Sequence, residues 1–238
     1  MTPETLSDVM EATWPAAHNY RTGPWTIRCG MGGGKRVSAA TADGIWVETD
    51  IPVAEKAMAS LGQPPLFLIR DCAGDDALDH ALQARGYRVV DPVVAYSAPC
   101  TALCEPPVPP MAAFAHWPPL AIAETLWAEG GIGTARLAAM HRVRGPKCTL
   151  LSRTNDRPTG AAFVAIEGQI AMLHALEVAP LARRQGSAHN ILRAAARWAQ
   201  EHGATTLAVV VTRANAPARA LYASMGMQAV GQYHYRQP

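Results

Sequence analysis

The chain has 238 residues, is 49% apolar and 17% charged, and carries a formal net charge of +2. This composition lies far from the disordered regime and suffices for one large core or two small ones. Both signs of charge are spread along the chain, which leaves no basic stripe for nucleic acid or an anionic membrane surface. Met1–Glu11 has no basic segment followed by an apolar one, as a secretory leader would. No apolar run reaches the roughly 18 residues of a spanning helix. The five cysteines Cys29, Cys72, Cys100, Cys104 and Cys148 are an odd number without framework spacing, so reduced thiols in a cytoplasmic protein are expected. No second Cys/His pair follows Cys100 and Cys104, so no metal site is expected.

In chain order, Trp25–Cys29, Arg36–Thr41, Leu66–Arg70 and Tyr87–Ser97 read as strands, and Pro52–Leu61 and Asp75–Arg85 as helices. The run Gly30, Gly32, Gly33, Gly34, Lys35 lacks the spacing of a phosphate loop and is read as a hairpin turn. Trp14, Trp25 and Trp46 are read as packing residues. Prolines thicken in Cys100–Pro110, which marks a linker. Helices follow at Leu120–Glu129 and Thr134–Val143, separated by Gly130, Gly131 and Gly133, and strands at Lys147–Arg153, Thr159–Glu167 and Gln169–Val178. A helix over Ser187–His202 repeats apolar residues at Ile191, Leu192, Ala195 and Trp198. Leu207–Val211 is apolar enough for a central strand. A helix at Pro217–Met225 and strands at Met227–Val230 and Gln232–Arg236 close the chain.

The fold class is therefore α/β with a mixed sheet. The expected division is a first unit at 1–100, a linker at 101–111 and a second unit at 112–238. Asp79–Tyr87 and Arg219–Met227 share a pattern of short helix, glycine and large apolar residue, which is compatible with a duplicated fold whose first copy has decayed.

The segment VAPLARRQGSA joins a strand to a helix through Arg183, Arg184, Gln185, Gly186, Ser187 and Ala188. Unpaired amides and the positive dipole end of a helix make an anion site, and two arginines add charge beside it. By itself this is a strand–loop–helix suited to phosphate, or an ordinary turn with exposed arginines. The longer pattern, strand, VAP, RRQGSA, amphipathic helix, apolar strand and NAPARALYASMGM, resembles the GCN5-related N-acetyltransferase superfamily across Gln169–Gln232. Arg183, Gly186 and Ala188 match that family's pyrophosphate signature, and Asn215 and Tyr222 its later Asn and Tyr. Residues 111–168 are compatible with the family, whereas the segment before Cys100 has no such loop.

The resemblance implies transfer of an acetyl group from acetyl-CoA to a primary amine of a small molecule or peptide, by direct attack in a ternary complex and without a metal. It implies a sheet that splays after the strand at Leu176–Val178, whose backbone pairs with pantetheine and polarises the thioester carbonyl. Arg183, Arg184, Gln185, Gly186, Ser187 and Ala188 would hold the pyrophosphate, Asn215 the pantetheine arm or the following helix, and Tyr222 would protonate the leaving thiolate. Glu177 is the expected base, with exposure to solvent or pairing to an arginine as the alternative. His174 is the reserve and reaches the same face only across a bulge. Tyr233 and Tyr235 share one strand face and His234 and Arg236 the other, and the strand could line the acceptor pocket or be an edge strand with ordinary polar residues. The amine's identity is open, a monomer and a homodimer are both compatible, and the competing class is a non-catalytic acyl-CoA sensor or interaction module.

Overall fold

A computed structural model describes residues 1–238. The chain begins with α1 (Pro3–Thr13), capped by the Thr2 hydroxyl, which accepts from the Thr5 amide at 3.2 Å, and opened by Pro3 in its first turn. Leu6, Val9, Met10 and Thr13 fall on its buried side. That is the i, i+3, i+4, i+7 spacing of an amphipathic helix, and each apolar side chain so buried contributes about 1.5–3 kcal/mol. This helix was not among the expected elements.

The hairpin β1 (His18–Thr22) and β2 (Trp25–Cys29) turns at Gly23–Pro24 and takes up β3 (Thr41–Ala42) as a small separate sheet. The strand expected over Arg36–Thr41 is corrected by the structure: Lys35–Val37 is a single 3-10 turn, Thr41 and Ala42 alone join β2, and Ala40 makes an isolated parallel bridge to Phe67. The glycine run before it is no tight hairpin either. The Gly33 amide donates to the Gly30 carbonyl at 2.8 Å, and a Cβ on Gly33 would stand 2.9 Å from Val37, so the loop curls back on itself. The chain continues through α2 (Ile51–Ser60), β4 (Phe67–Arg70), α3 (Asp75–Ala84) and β5 (Arg88–Pro99).

The proline-rich segment opens with a helical turn, α4 (Cys100–Leu103), ahead of its first proline pair, and Cys100 and Leu103 bury against the largest core cluster. Then come β6 (Ala113–His116), α5 (Ala121–Glu129), α6 (Thr134–Arg142), β7 (Lys147–Thr154), β8 (Arg157–Glu167), β9 (Ile170–Val178), α7 (Ser187–Glu201), β10 (Thr206–Thr212), α8 (Ala216–Ser224) and β11 (Gln228–Gln237). The last strand is continuous where two were expected, with register shifts between Ala229 and Gly231 and between Tyr233 and Tyr235. No helix is long and apolar enough to cross a membrane.

Eight strands form one mixed sheet in the order β4-β11-β5-β10-β9-β8-β7-β6. The strand β5 lies between β10 and β11, antiparallel to both, so the regions on either side of the proline-rich segment share a sheet. The first four strands have an internal symmetry: exchanging β4 with β10 and β5 with β11 reverses their order. Each pair is joined by a helix ended by a glycine in the left-handed region, Gly86 (φ 85°) and Gly226 (φ 76°). Val93 and Tyr233, each seven residues past its glycine, are paired with one another.

Helices α7 and α8 pack on one face of this sheet through Ile191, Leu192, Ala195 and Tyr222. The other face carries α1, α5 and α6, through Leu6, Val9 and Met10 beside Tyr233 and Tyr235, and through Trp127, Met140 and Phe163.

Candidate active site

Between β9 and β10 the sheet opens. Their parallel pairing runs from Ile170/Thr206 to Leu173/Val209 and stops, while β8 continues to pair with β9 as far as Val178 and β5 with β10 as far as Thr212. The cause lies in a bulge. Ala175 adopts φ 52°, and Ala161 faces Glu177 while Phe163 faces His174, so β9 carries one more residue than β8 over this interval. The Trp127 indole donates to the Ala175 carbonyl at 2.7 Å and holds the bulge in place. A bulge at this point brings His174 and Glu177 to the same face, the condition under which either could serve one reaction.

A cleft of about 440 Å³ occupies the opening. Its floor is Leu173–Leu176 and Val210–Thr212, with Asn215 and Tyr222 on the α7/α8 side. On the other side stand Trp14, Lys35, Arg36, Asp91, Arg136, Tyr233 and Tyr235. The cleft therefore passes through the plane of the sheet and joins its two faces.

Of the expected cofactor contacts, Leu176, Asn215 and Tyr222 line the cleft, Val178 ends β9 outside the cleft wall, and the others cluster beyond it at the start of α7. There no amide from Arg184 through His189 finds an acceptor within the protein, and Gly186, at φ 86°, caps the helix without a side chain. A Cβ built on Gly186 meets nothing within 4 Å, so the amides face open space. Unpaired donors at the positive end of a 15-residue helix fit a pyrophosphate. The side chains are arranged less simply. Arg183 turns back, donating to the Val178 carbonyl at 3.1 Å and to Glu177 at 3.4 Å. Gln185 bonds the Leu181 carbonyl, and the Ser187 hydroxyl is buried against Thr159 at 2.9 Å. Gln185 and Ser187 therefore offer backbone rather than side chains, and Arg184, at φ 64°, is the cation with no protein partner here.

Asn215 caps α8, its side chain accepting from the Ala218 amide at 3.1 Å, while its flank faces the cleft. Tyr222 is almost fully buried, and burial pushes its phenol up to about 12, so it carries its proton throughout the neutral range.

Neither candidate base is free. Glu177 is absent from the cleft wall, pairs with Arg183 and lies against Gly130, where a Cβ would approach its carboxyl carbon to 2.7 Å. His174 does line the cleft, but both ring nitrogens are engaged. Arg36 donates to Nδ1 at 3.1 Å, so Nε2 carries the hydrogen and donates to Thr13 Oγ1 at 2.9 Å; Thr13 in turn donates to the Val9 carbonyl at 2.6 Å. Burial, with the neighbouring Arg36 charge, holds His174 well below the usual histidine range and hence neutral.

The residues on the cleft's other side were the ones least visible in the sequence. Tyr233 and Tyr235 stand edge to face, with centroids 5.7 Å apart, and both reach the cleft. His234 and Arg236 point away and bind Asp79 of α3 at 2.7 and 2.6 Å, locking that helix to the sheet. Lys35 and Arg36 arrive from the glycine loop read as a hairpin. The one signal for them was a basic pair directly after that run.

The comparisons with known proteins agree with this geometry. Residues 113–227 match the acetyltransferase (GNAT) family. The chain is 26% identical to the uncharacterized N-acetyltransferase YobR of Bacillus subtilis (strain 168), over 94% of each chain. A GCN5-related N-acetyltransferase from Kribbella flavida superposes with a TM-score of 0.71 at 16% identity, covering 98% of this chain and 94% of that one. A tandem GNAT protein from the clavulanic acid biosynthesis pathway gives 0.64 at 14% identity, over 84% and 74%. Such distant structures share the fold alone, but they share it across both halves. Residues 113–227 are a domain of the acetyltransferase (GNAT) family, and the chain is an acyltransferase.

Proposed function

We propose that the protein transfers an acetyl group from acetyl-CoA to a primary amine of a small molecule or peptide by direct attack in the cleft. The observation that carries this reading is the interrupted β9–β10 pairing, with six unpaired amides at one end and a buried, protonated tyrosine on the wall. When bound, acetyl-CoA supplies the electrophilic thioester carbonyl. The amides of 184–189 and Arg184 would hold its pyrophosphate, and the unpaired edge of Leu176–Val178 its pantetheine. Backbone donors along that edge are suited to stabilise negative charge developing on the carbonyl oxygen. Tyr222 donates a proton to the departing sulfur.

Attack requires the neutral amine. With Glu177 and His174 engaged, the cleft contains one carboxylate, Asp91, which is bound to Lys35 at 2.6 Å, against the cations Lys35, Arg36 and Arg136. A net positive wall disfavours an ammonium ion and lowers the amine's own pKa. The proton then leaves to solvent through the open mouth. The symmetry of β4-α3-β5 and β10-α8-β11 supports reading the first region as a decayed copy of the fold that lost its CoA loop and became the acceptor-side wall.

Calorimetric titration with acetyl-CoA and with CoA, followed by release of free CoA in the presence of amines, tests the reading. Micromolar binding and amine-dependent release are expected. Absence of binding to the wild-type protein would overturn it.

A further inference from the structure

Three arginines in this protein, Arg28 and Arg236 buried and Arg70 nearly so, stand beside carboxylates. Arg28 binds Glu11 at 2.8 Å, Arg70 binds Asp43 at 3.0 Å and Asp75 at 3.2 Å, and Arg236 binds Asp79 at 2.6 Å. This is the normal arrangement, because a charge withdrawn from water is costly unless an opposite charge accompanies it. Arg36 departs from it. Its Nε is enclosed with no acceptor, no carboxylate lies within ion-pairing distance, and its neighbours are His174 and the phenols Tyr233 and Tyr235.

Arg36 is nevertheless firmly placed. The hydrogen-bonded chain from Arg36 through His174 and Thr13 ends on the Val9 carbonyl of α1, and Trp14 packs on the imidazole with centroids 5.0 Å apart. A guanidinium oriented by neutral groups, facing a cleft and lacking its counterion is the arrangement expected where the ligand brings the negative charge. The remaining cleft charges have the same sense, since Asp91, the only acid in the wall, is already held by Lys35.

We propose that the acceptor carries a carboxylate and that Arg36 binds it, so that the substrates are amino acids or peptide-like amines whose free carboxylate lies within one cleft length of the amine. This rests on the acetyl-transfer reading and narrows it. His174 is a positioning residue in this scheme: it orients Arg36 and takes no part in proton transfer.

The test is a panel of primary amines in matched pairs, each offered as carboxylate and as carboxamide: glycine, β-alanine, leucine, phenylalanine and lysine with their amides. Release of free CoA from acetyl-CoA is expected to favour the carboxylate member in kcat/KM by about a hundredfold or more. Arg36→Gln should bring the ratio close to one with the acetyl-CoA Kd unchanged, and Arg36→Lys should retain part of it. Carboxamides used equally well, or an Arg36→Gln protein that keeps the ratio, would overturn the proposal. If acetyl-CoA does not bind the wild type, the donor reading fails separately. Thermal-shift titration with the same pairs then decides: stabilisation by carboxylates alone, lost in Arg36→Gln, supports the proposal, and none overturns it.

Discussion

The two sides of the cleft are built by different means. On the α7/α8 side the site is largely backbone: six amides at a helix start, an unpaired strand edge and a glycine that leaves them open, with Tyr222 and Asn215 added from the next helix. All of it comes from one continuous stretch, from β9 to α8. On the other side the site is made of side chains, Trp14, Arg36, Tyr233 and Tyr235, brought from α1, the glycine loop and the last strand. The difference suggests a division of work. Under the proposed function, a backbone cradle can keep one donor while sequences drift, whereas a wall assembled from distant side chains can be altered residue by residue to suit the acceptor.

The largest effect that would separate the two sides is expected of Gly186→Glu. It forces a side chain into φ 86° and sets a carboxylate among amides arranged for an anion, so acetyl-CoA affinity should fall about a thousandfold. Calorimetry checks this, and unchanged affinity would break the assignment of the cradle. Tyr222→Phe keeps the ring and removes the proton. Turnover should drop roughly a hundredfold with the acetyl-CoA Kd unaltered, and equal turnover would remove the tyrosine from proton donation.

On the acceptor side, His174 provides a stability probe. Its folded pKa is depressed, so its contribution is complete above the unfolded value near 6.5. The unfolded chain binds more protons below that value, so the contribution is lost as pH falls towards the folded pKa. Unfolding free energy from urea titrations should therefore decline by up to about 1.4 kcal/mol per pH unit below 6.5, and His174→Gln should flatten that part of the slope. The smallest effect is expected of Glu177→Gln: with the carboxylate already bound to Arg183 outside the cleft, kcat should change less than about threefold. A loss like that of Tyr222→Phe would return Glu177 to the role of base.

Much of the backbone-built side was legible beforehand because its chemistry follows local rules. A glycine after two arginines at a helix start, and Asn-Ala-Pro before a second helix, each have a physical reason that needs no distant partner. Which of its two readings Glu177 follows, base or partner of an arginine, was not legible in the sequence because its surroundings, Arg183 from the following loop and Gly130 from a different helix end, are set by tertiary packing. The glycine loop was misread for a similar reason. Its composition suits a turn, and nothing near it in sequence reveals that the chain curls back and delivers Arg36 to a histidine on β9.

By itself, the sequence determined that the chain folds as a mixed α/β protein, where most of its helices and central strands lie, and that a helix start suited to an anion precedes an Asn and a Tyr on the next helix. These are properties of spacing, capping and glycine conformation, which act over a few residues. Only the tertiary structure decided that β5 enters the sheet between β10 and β11, that β9 and β10 part at a bulge, and that an arginine without a counterion faces the gap. Strand neighbours and buried charge pairs join residues far apart in the chain. Their energies depend on register and enclosure, which no local pattern encodes.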